Sequence, residues 1–135
     1  MELDSLFTFF ATYNPLSKEA RSAIEQICRI IHIKKNEDLQ SIGHTCKTIY
    51  FIQKGAARIY YYTNGIDITE SFSFENNIIA RVESLLTGKP SNKAIQILED
   101  ATIIAIDSTK LFALYDRFPD IERLMRKIFE QGYVE

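Results

Sequence analysis

Cysteine is scarce in this chain. Cys28 and Cys46 are the only two among 135 residues, too few and too far apart for a disulfide framework or a zinc set. An excess of one charge is missing too. Sixteen Lys and Arg stand against eighteen Asp and Glu, a net charge of −2. Phosphate backbones are held by clustered Lys and Arg, so the balance argues against nucleic-acid binding by the domain as a whole. No apolar run approaches the roughly 20 residues of a membrane helix. The N-terminus has neither a basic start nor a cleavage site, so no signal peptide is expected and the cytoplasm is the expected compartment. Internal repeats, low-complexity tracts and linkers are absent as well.

What is present is ordinary globular material, 46% hydrophobic and 25% charged. The length predicts one domain with room for a real core. Seven Tyr and nine Phe lean the chain toward strands. Residues 3–13 are apolar and predict a helix, broken at Asn14-Pro15. Ser17 is placed to cap a second helix, with Ala20, Ala23, Ile24 and Ile27 at helical spacing. The period then changes. Residues 29–35 and, more weakly, 38–43 read as strands. KTIYFIQ (47–53) reads as a strong strand, Lys54-Gly55 as a turn, and ARIYYY (57–62) as the next strand. Asn64-Gly65 is a hairpin signal, because both residues tolerate positive φ. Residues 66–74 follow, with Ile66, Ile68, Phe72 and Phe74 on one parity. That spacing predicts one buried and one wet face, with Glu70 interrupting the set. Residues 94–97 and 102–106 are two more apolar runs, with Glu99-Asp100 as a polar turn between them. Ser108 is positioned to cap a helix, and Pro119-Asp120 starts another with Ile121, Leu124, Met125, Ile128 and Phe129 at spacings of three and four.

The count is seven or eight short strands flanked by helices, which predicts an antiparallel sandwich or roll. The informative stretch is 76–107. A helix-like turn over 81–86 leads into a loop, 87–93, with Gly88 and Pro90 and with Lys89 and Lys93 at its flanks. Free backbone N–H groups and lysines suit an anion. A surface turn with two solvated lysines is the plainer account of the same residues.

The ordered set of motifs resembles the cyclic-nucleotide-binding domain of the Crp/Fnr regulators. TIYFIQKGAARIYY resembles that family's central strand pair, with Gly55 at its turn glycine. The Asn64-Gly65 hairpin falls where the family has one. SLLTGKPSNKAIQILEDATIIAID resembles its phosphate cassette and the strands after it, and RFPDIERLMRKIFEQ the start of its C-terminal helix. The resemblance implies a mainly β fold with flanking α-helices, an antiparallel β-roll of the jelly-roll type. It divides the chain into N-terminal helices over 1–27, a roll over 28–107 with the cassette at 80–94, and C-terminal helices over 108–135.

Two departures bear on function. Members that bind cyclic AMP or cyclic GMP show Gly-Glu early in the cassette, the glutamate accepting from the ribose hydroxyl. This chain reads Ala80-Arg81-Val82-Glu83 there. They also carry Arg before Ser or Thr and Ala, the arginine gripping the cyclic phosphate. This chain reads Asn92-Lys93-Ala94. A one-residue slip in a strand turns a side chain to the other face, and lysine lacks the planar fork of arginine. The loss amounts to about 2–4 kcal/mol if a buried phosphate lacks its charged partner. The sequence also stops at Glu135 without a recognition helix, so no nucleic-acid reading is expected of this chain alone.

The expected function is therefore a sensory or regulatory domain without enzymatic activity. Its implied ligand is a cyclic nucleotide, cAMP or cGMP, or another small anion. The residues nearest would be Glu83, Ser84, Ser91, Asn92 and Lys93: Lys93 and the N–H groups near Asn92 on phosphate, Glu83 on a hydroxyl. One rival is a degenerate module used for dimerisation or protein interaction, with a homodimer through the last helix. The other is a cupin-type metal enzyme. That needs clustered His and Glu, and His32 and His44 lie twelve apart with no carboxylate pattern. His32 reads as a half-buried strand imidazole, and the cysteines as buried thiols. An iron–sulfur sensor would need four ligands. No nucleophile motif surrounds Ser84 or Ser91. The run Tyr60-Tyr61-Tyr62 fits a pocket lining or plain cross-strand packing equally well.

Overall fold

The computed structural model describes residues 2–131. Two helices open the chain, α1 (Asp4–Ala11) and α2 (Lys18–Glu25). Ser17 caps α2 as its position predicts, its hydroxyl accepting from Ala20 N at 3.1 Å. Six strands follow: β1 (Cys28–Ile33), β2 (Asp38–Gln40), β3 (Thr48–Thr63), β4 (Ile66–Ser73), β5 (Ile78–Ile79) and β6 (Ala94–Asp107). A short helix, α3 (Val82–Thr87), interrupts them, and α4 (Ser108–Ala113) and α5 (Pro119–Glu130) close the described part. α5 ends at Glu130 with Gln131 as its C-cap, and the part of the C-terminal helices expected over 132–135 lies outside the described residues.

Every recorded strand pair is antiparallel, in the order β1-β6-β3-β4, with β2 on β6 and β5 on β3. Among the described residues the strands number six rather than seven or eight: two expected turns are bends, which merges four expected runs into two, and β5 is a short strand the patterning did not single out. Lys54-Gly55 lies inside β3 and Glu99-Asp100 inside β6. The two strands stay paired through the bend, from Thr48↔Asp107 to Tyr60↔Ala94, with the register slipping between Ile52 and Ala57. Gly55 makes the bend feasible. Its φ is +109°, and a Cβ there would meet Ala101 Cβ at 2.7 Å. Each long strand thus serves both walls of the roll.

β4 corrects another expectation. Ile66 and Phe72 are exposed at 63% and 58%, and Ile68 and Phe74 are exposed too, whereas Thr69, Ser71 and Ser73 are half-buried. The same parity is exposed on both sides of a bulge. Ile59 opposes Ser71 and Tyr60 opposes Thr69, so Glu70 has no partner across the ladder. One extra residue shifts which β3 residues the β4 side chains stand beside, without changing which parity of β4 is exposed. Ile66 and Ile68 therefore lie on the face of Tyr61, and Phe72 on the face of Arg58. Three smaller corrections follow. Asp107 rather than Ser108 caps α4, accepting from Lys110 N at 2.9 Å. His32 is exposed on β1, its Nδ1 3.3 Å from Thr102 Oγ1. Of the two thiols, Cys46 is buried and Cys28 half-buried; burial, then Glu25, pushes the Cys28 thiol up to about 12.

Two apolar clusters hold the fold. One fills the roll: Tyr50, Ile52, Ile59, Ile79, Ile95, Ile97 and Ile103. The other joins the roll to the helices, with Leu6, Phe10 and Ile24 meeting Ile49, Phe51, Ile104, Leu111, Leu124 and Ile128. Each such side chain contributes roughly 1.5–3 kcal/mol by leaving water. No helix among the described residues is long and apolar enough to cross a membrane.

Candidate functional site

The buried run Ile78, Ile79, Ala80 delivers the chain from β5 to Arg81, which stands at the N-cap of α3 rather than inside it. α3 ends at Gly88, left-handed at φ 73°, whose N–H donates to Ser84 O at 2.9 Å. The loop over 88–93 then returns to β6, and its polar groups fasten it to the segment 43–46. Ser91 N donates to His44 O at 2.9 Å, and Gly43 N donates to Ser91 O at 2.8 Å. The Ser84 hydroxyl accepts from Cys46 N at 2.8 Å and donates to Lys89 O at 2.6 Å. Gln40, at the end of β2, donates to His44 O at 2.8 Å. The cassette is therefore pinned from one side by backbone and hydroxyl groups.

Of the expected residues, two come together. The Ser91 hydroxyl accepts from Lys93 N at 3.2 Å and donates to Lys93 O at 2.8 Å. Ser84 is buried one turn away and engaged as described. Glu83 and Asn92 are exposed. The Lys93 side chain leaves the loop for the hairpin, where its Nζ pairs with Glu70 and lies 5.3 Å from the centre of the Tyr61 ring. Glu70 is the bulged residue, so the irregularity in β4 also presents Lys93 with its partner.

Arg81 is the residue that pattern reading missed. It is 7% exposed, and its Nε donates to Ser91 Oγ at 3.2 Å. None of the ion pairs among the described residues includes it. The signal was available: a cation directly after a buried apolar strand, in the place where the resembled family has its glutamate. Reading 81–86 as one helix-like turn put it inside the helix rather than at the N-cap.

The tyrosine run divides by parity. Tyr60 and Tyr62 share a face with Arg58, whose guanidinium lies 4.3 Å from the Tyr60 ring centre. Tyr60 Oη donates to Asp38 at 3.0 Å. Burial, then that carboxylate, pushes the Tyr60 phenol up to about 12. No group of three or more His, Cys, Asp or Glu among the described residues is placed to hold a metal ion. A groove of about 840 Å³ is lined by Leu86 of α3 together with Phe112, Tyr115 and Phe129. Neither Arg81 nor Ser91 lines it, and Glu122, Arg123, Arg126 and Glu130 edge it.

Comparison with known proteins gives a consistent pattern. The model of the family described as the cyclic nucleotide-binding domain matches residues 30–118. A cyclic nucleotide-binding domain from Methylobacillus flagellatus superposes with a TM-score of 0.79 at 11% identity, over 96% of this chain and 75% of that one. The sensor domain of the transcriptional regulator DNR from Pseudomonas aeruginosa gives 0.78 at 14%, over 96% and 85%. The Thermus thermophilus catabolite activator protein gives 0.74 at 15%, over 89% of this chain and 56% of its own length. At these identities the likeness is one of fold. No curated protein sequence matches the chain significantly.

Proposed function

We infer a sensory role from one premise: the chain belongs to the cyclic nucleotide-binding domain family. It is a regulatory domain that takes a small anionic ligand at its cassette, and it performs no catalysis. Cyclic AMP and cyclic GMP are the first ligands to test, and the cytoplasm is the compartment where such a ligand is met. The observation that supports the reading is the Ser91 hydroxyl. It sits buried in a loop braced against 43–46, with the Arg81 guanidinium beside it. Around it, Lys93 and the N–H groups near Asn92 are assigned to phosphate, Glu83 to a ligand hydroxyl and Ser84 to holding the loop. Lys93 reaches a ligand only by leaving Glu70. Such a half-exposed pair is worth no more than about 1 kcal/mol, so the exchange is cheap. Calorimetry with both nucleotides is the test: saturable heat is expected, and none at millimolar ligand removes both.

A second reading is an interaction module, and the Lys93–Glu70 pair favours it, because that pair keeps the loop's cation away from any ligand. The stripe of α5 does not provide the dimer surface. Ile121, Leu124, Met125 and Ile128 are buried against the chain's own roll. A homodimer along α5 would use Arg123, Arg126 and Phe129 instead, beside the groove. Light scattering on Phe129→Glu and the unaltered protein decides this: a monomer in both counts against the module.

A further inference from the structure

We propose that Arg81 is the anion-binding residue of the cassette, and that the site takes a ligand carboxylate or phosphate where cyclic-nucleotide binders present a carboxylate of their own. The proposal rests on the cassette being a ligand site and names what that site recognises.

The argument starts from an unbalanced charge. A guanidinium is never neutral at physiological pH, and burying one without a partner is costly. Arg81 is only 7% exposed, yet the one hydrogen bond of its guanidinium goes to a neutral hydroxyl. That leaves Nη1 and Nη2 with their four N–H groups. No fully buried polar side-chain atom among the described residues lacks a partner. The Nη groups therefore open onto space that solvent reaches. Ser91 fixes the side chain by holding Nε, and Ser91 is itself locked by both polar backbone atoms of Lys93. The free Nη1–Nη2 edge is the one that meets two oxygens of a carboxylate or phosphate side by side.

The sign of this contact sets the ligand class. A glutamate at this place would accept a hydrogen bond from a hydroxyl. Arg81 only donates, so a ribose hydroxyl gains little there and an oxyanion gains much. Lys93 is occupied by Glu70 and Tyr61. Asn92 is exposed and uncharged. Arg81 is thus the one cation of the cassette that is both buried and without a counter-charge among the described residues.

Thermal melts at fixed ionic strength test this, with inorganic phosphate, malonate and cyclic AMP as separate probes. In the unaltered protein, phosphate or malonate is expected to raise the melting temperature saturably, and which of them acts at lower concentration names the oxyanion. Arg81→Met is expected to shift half-saturation up by about 30- to 1,000-fold, while melting no lower than the parent without anion, because it removes an uncompensated charge. Arg81→Lys restores part of the response, and Lys54→Ala, an exposed lysine outside the cassette, stays within about threefold of the parent. An unaltered protein silent to all three probes ends both this proposal and the reading beneath it. A response that survives Arg81→Met, or is lost in Lys93→Ala instead, ends the Arg81 assignment alone. So does an Arg81→Met protein that melts several degrees lower, since Arg81 would then be a packing residue.

Discussion

Arg58 shows how much a single side chain carries on the hairpin. Its two Nη atoms donate to the Asp67 carboxylate at 2.7 and 2.8 Å, and it reaches Thr69 Oγ1 and Gln96 Oε1 as well. That bidentate bond holds the Asp67 carboxyl below its usual range. A depressed folded-state pKa means stability that is complete above the ordinary carboxylate value, near 3.8, and lost as pH falls through the lower folded value. The urea midpoint of Asp67→Asn should therefore lie below the parent's at pH 7 and converge with it as the pH drops from about 4 toward 2. The Ser17 cap is simpler. Ser17→Ala leaves Ala20 N without its acceptor and should cost about 1 kcal/mol in urea unfolding. Gly55 is the strictest position. Gly55→Ala meets Ala101 and keeps an unfavourable φ, so a loss of about 2–4 kcal/mol is expected.

At the scale of elements, the hairpin β3–β4 makes its own prediction. Phe72→Ser and Phe74→Ser should leave stability within about 0.5 kcal/mol, because both rings are exposed. Ile59→Ala, on the buried side of the same hairpin, should cost about 2–5 kcal/mol. Alternation alone gave the reverse expectation for the two phenylalanines. Period-2 patterning marked β3, β4 and β6 as strands, since β-branched and aromatic residues repeat there, and Asn64-Gly65 turned where its φ values of 52° and 77° require. What patterning does not carry is phase or register. The bulge at Glu70 is a pairing event between two strands, and nothing local to residues 66–74 fixes it. Bends behave likewise: Lys54-Gly55 and Glu99-Asp100 read as turns because polar and glycine residues signal a break in either case. At the cassette, residue type drew attention to Lys93 and away from Arg81. Lys93 proved legible as a cation and not as a surface pair, and Arg81 needed the buried strand before it to be placed in space.

On the scale of the whole molecule, helices and roll form one packed unit through a shared cluster. Leu124 and Ile128 touch the same interior as Phe51 and Ile104. Leu124→Ala should lower stability by about 2–5 kcal/mol in urea melts monitored by circular dichroism, and helix and strand signals should fall together, since neither layer keeps its core alone. The shared bend of β3 and β6 has a temporal consequence as well. Thr48 pairs with Asp107, so the centre of the roll joins residues nearly half a chain apart. A ribosome extruding this polypeptide offers β3 only β4 and the two-residue β5 as partners until β6 follows. Closing so wide a loop is slow compared with folding a helix. The nascent isoleucines of β3 therefore wait uncovered, at the stage when a chaperone has most to hold.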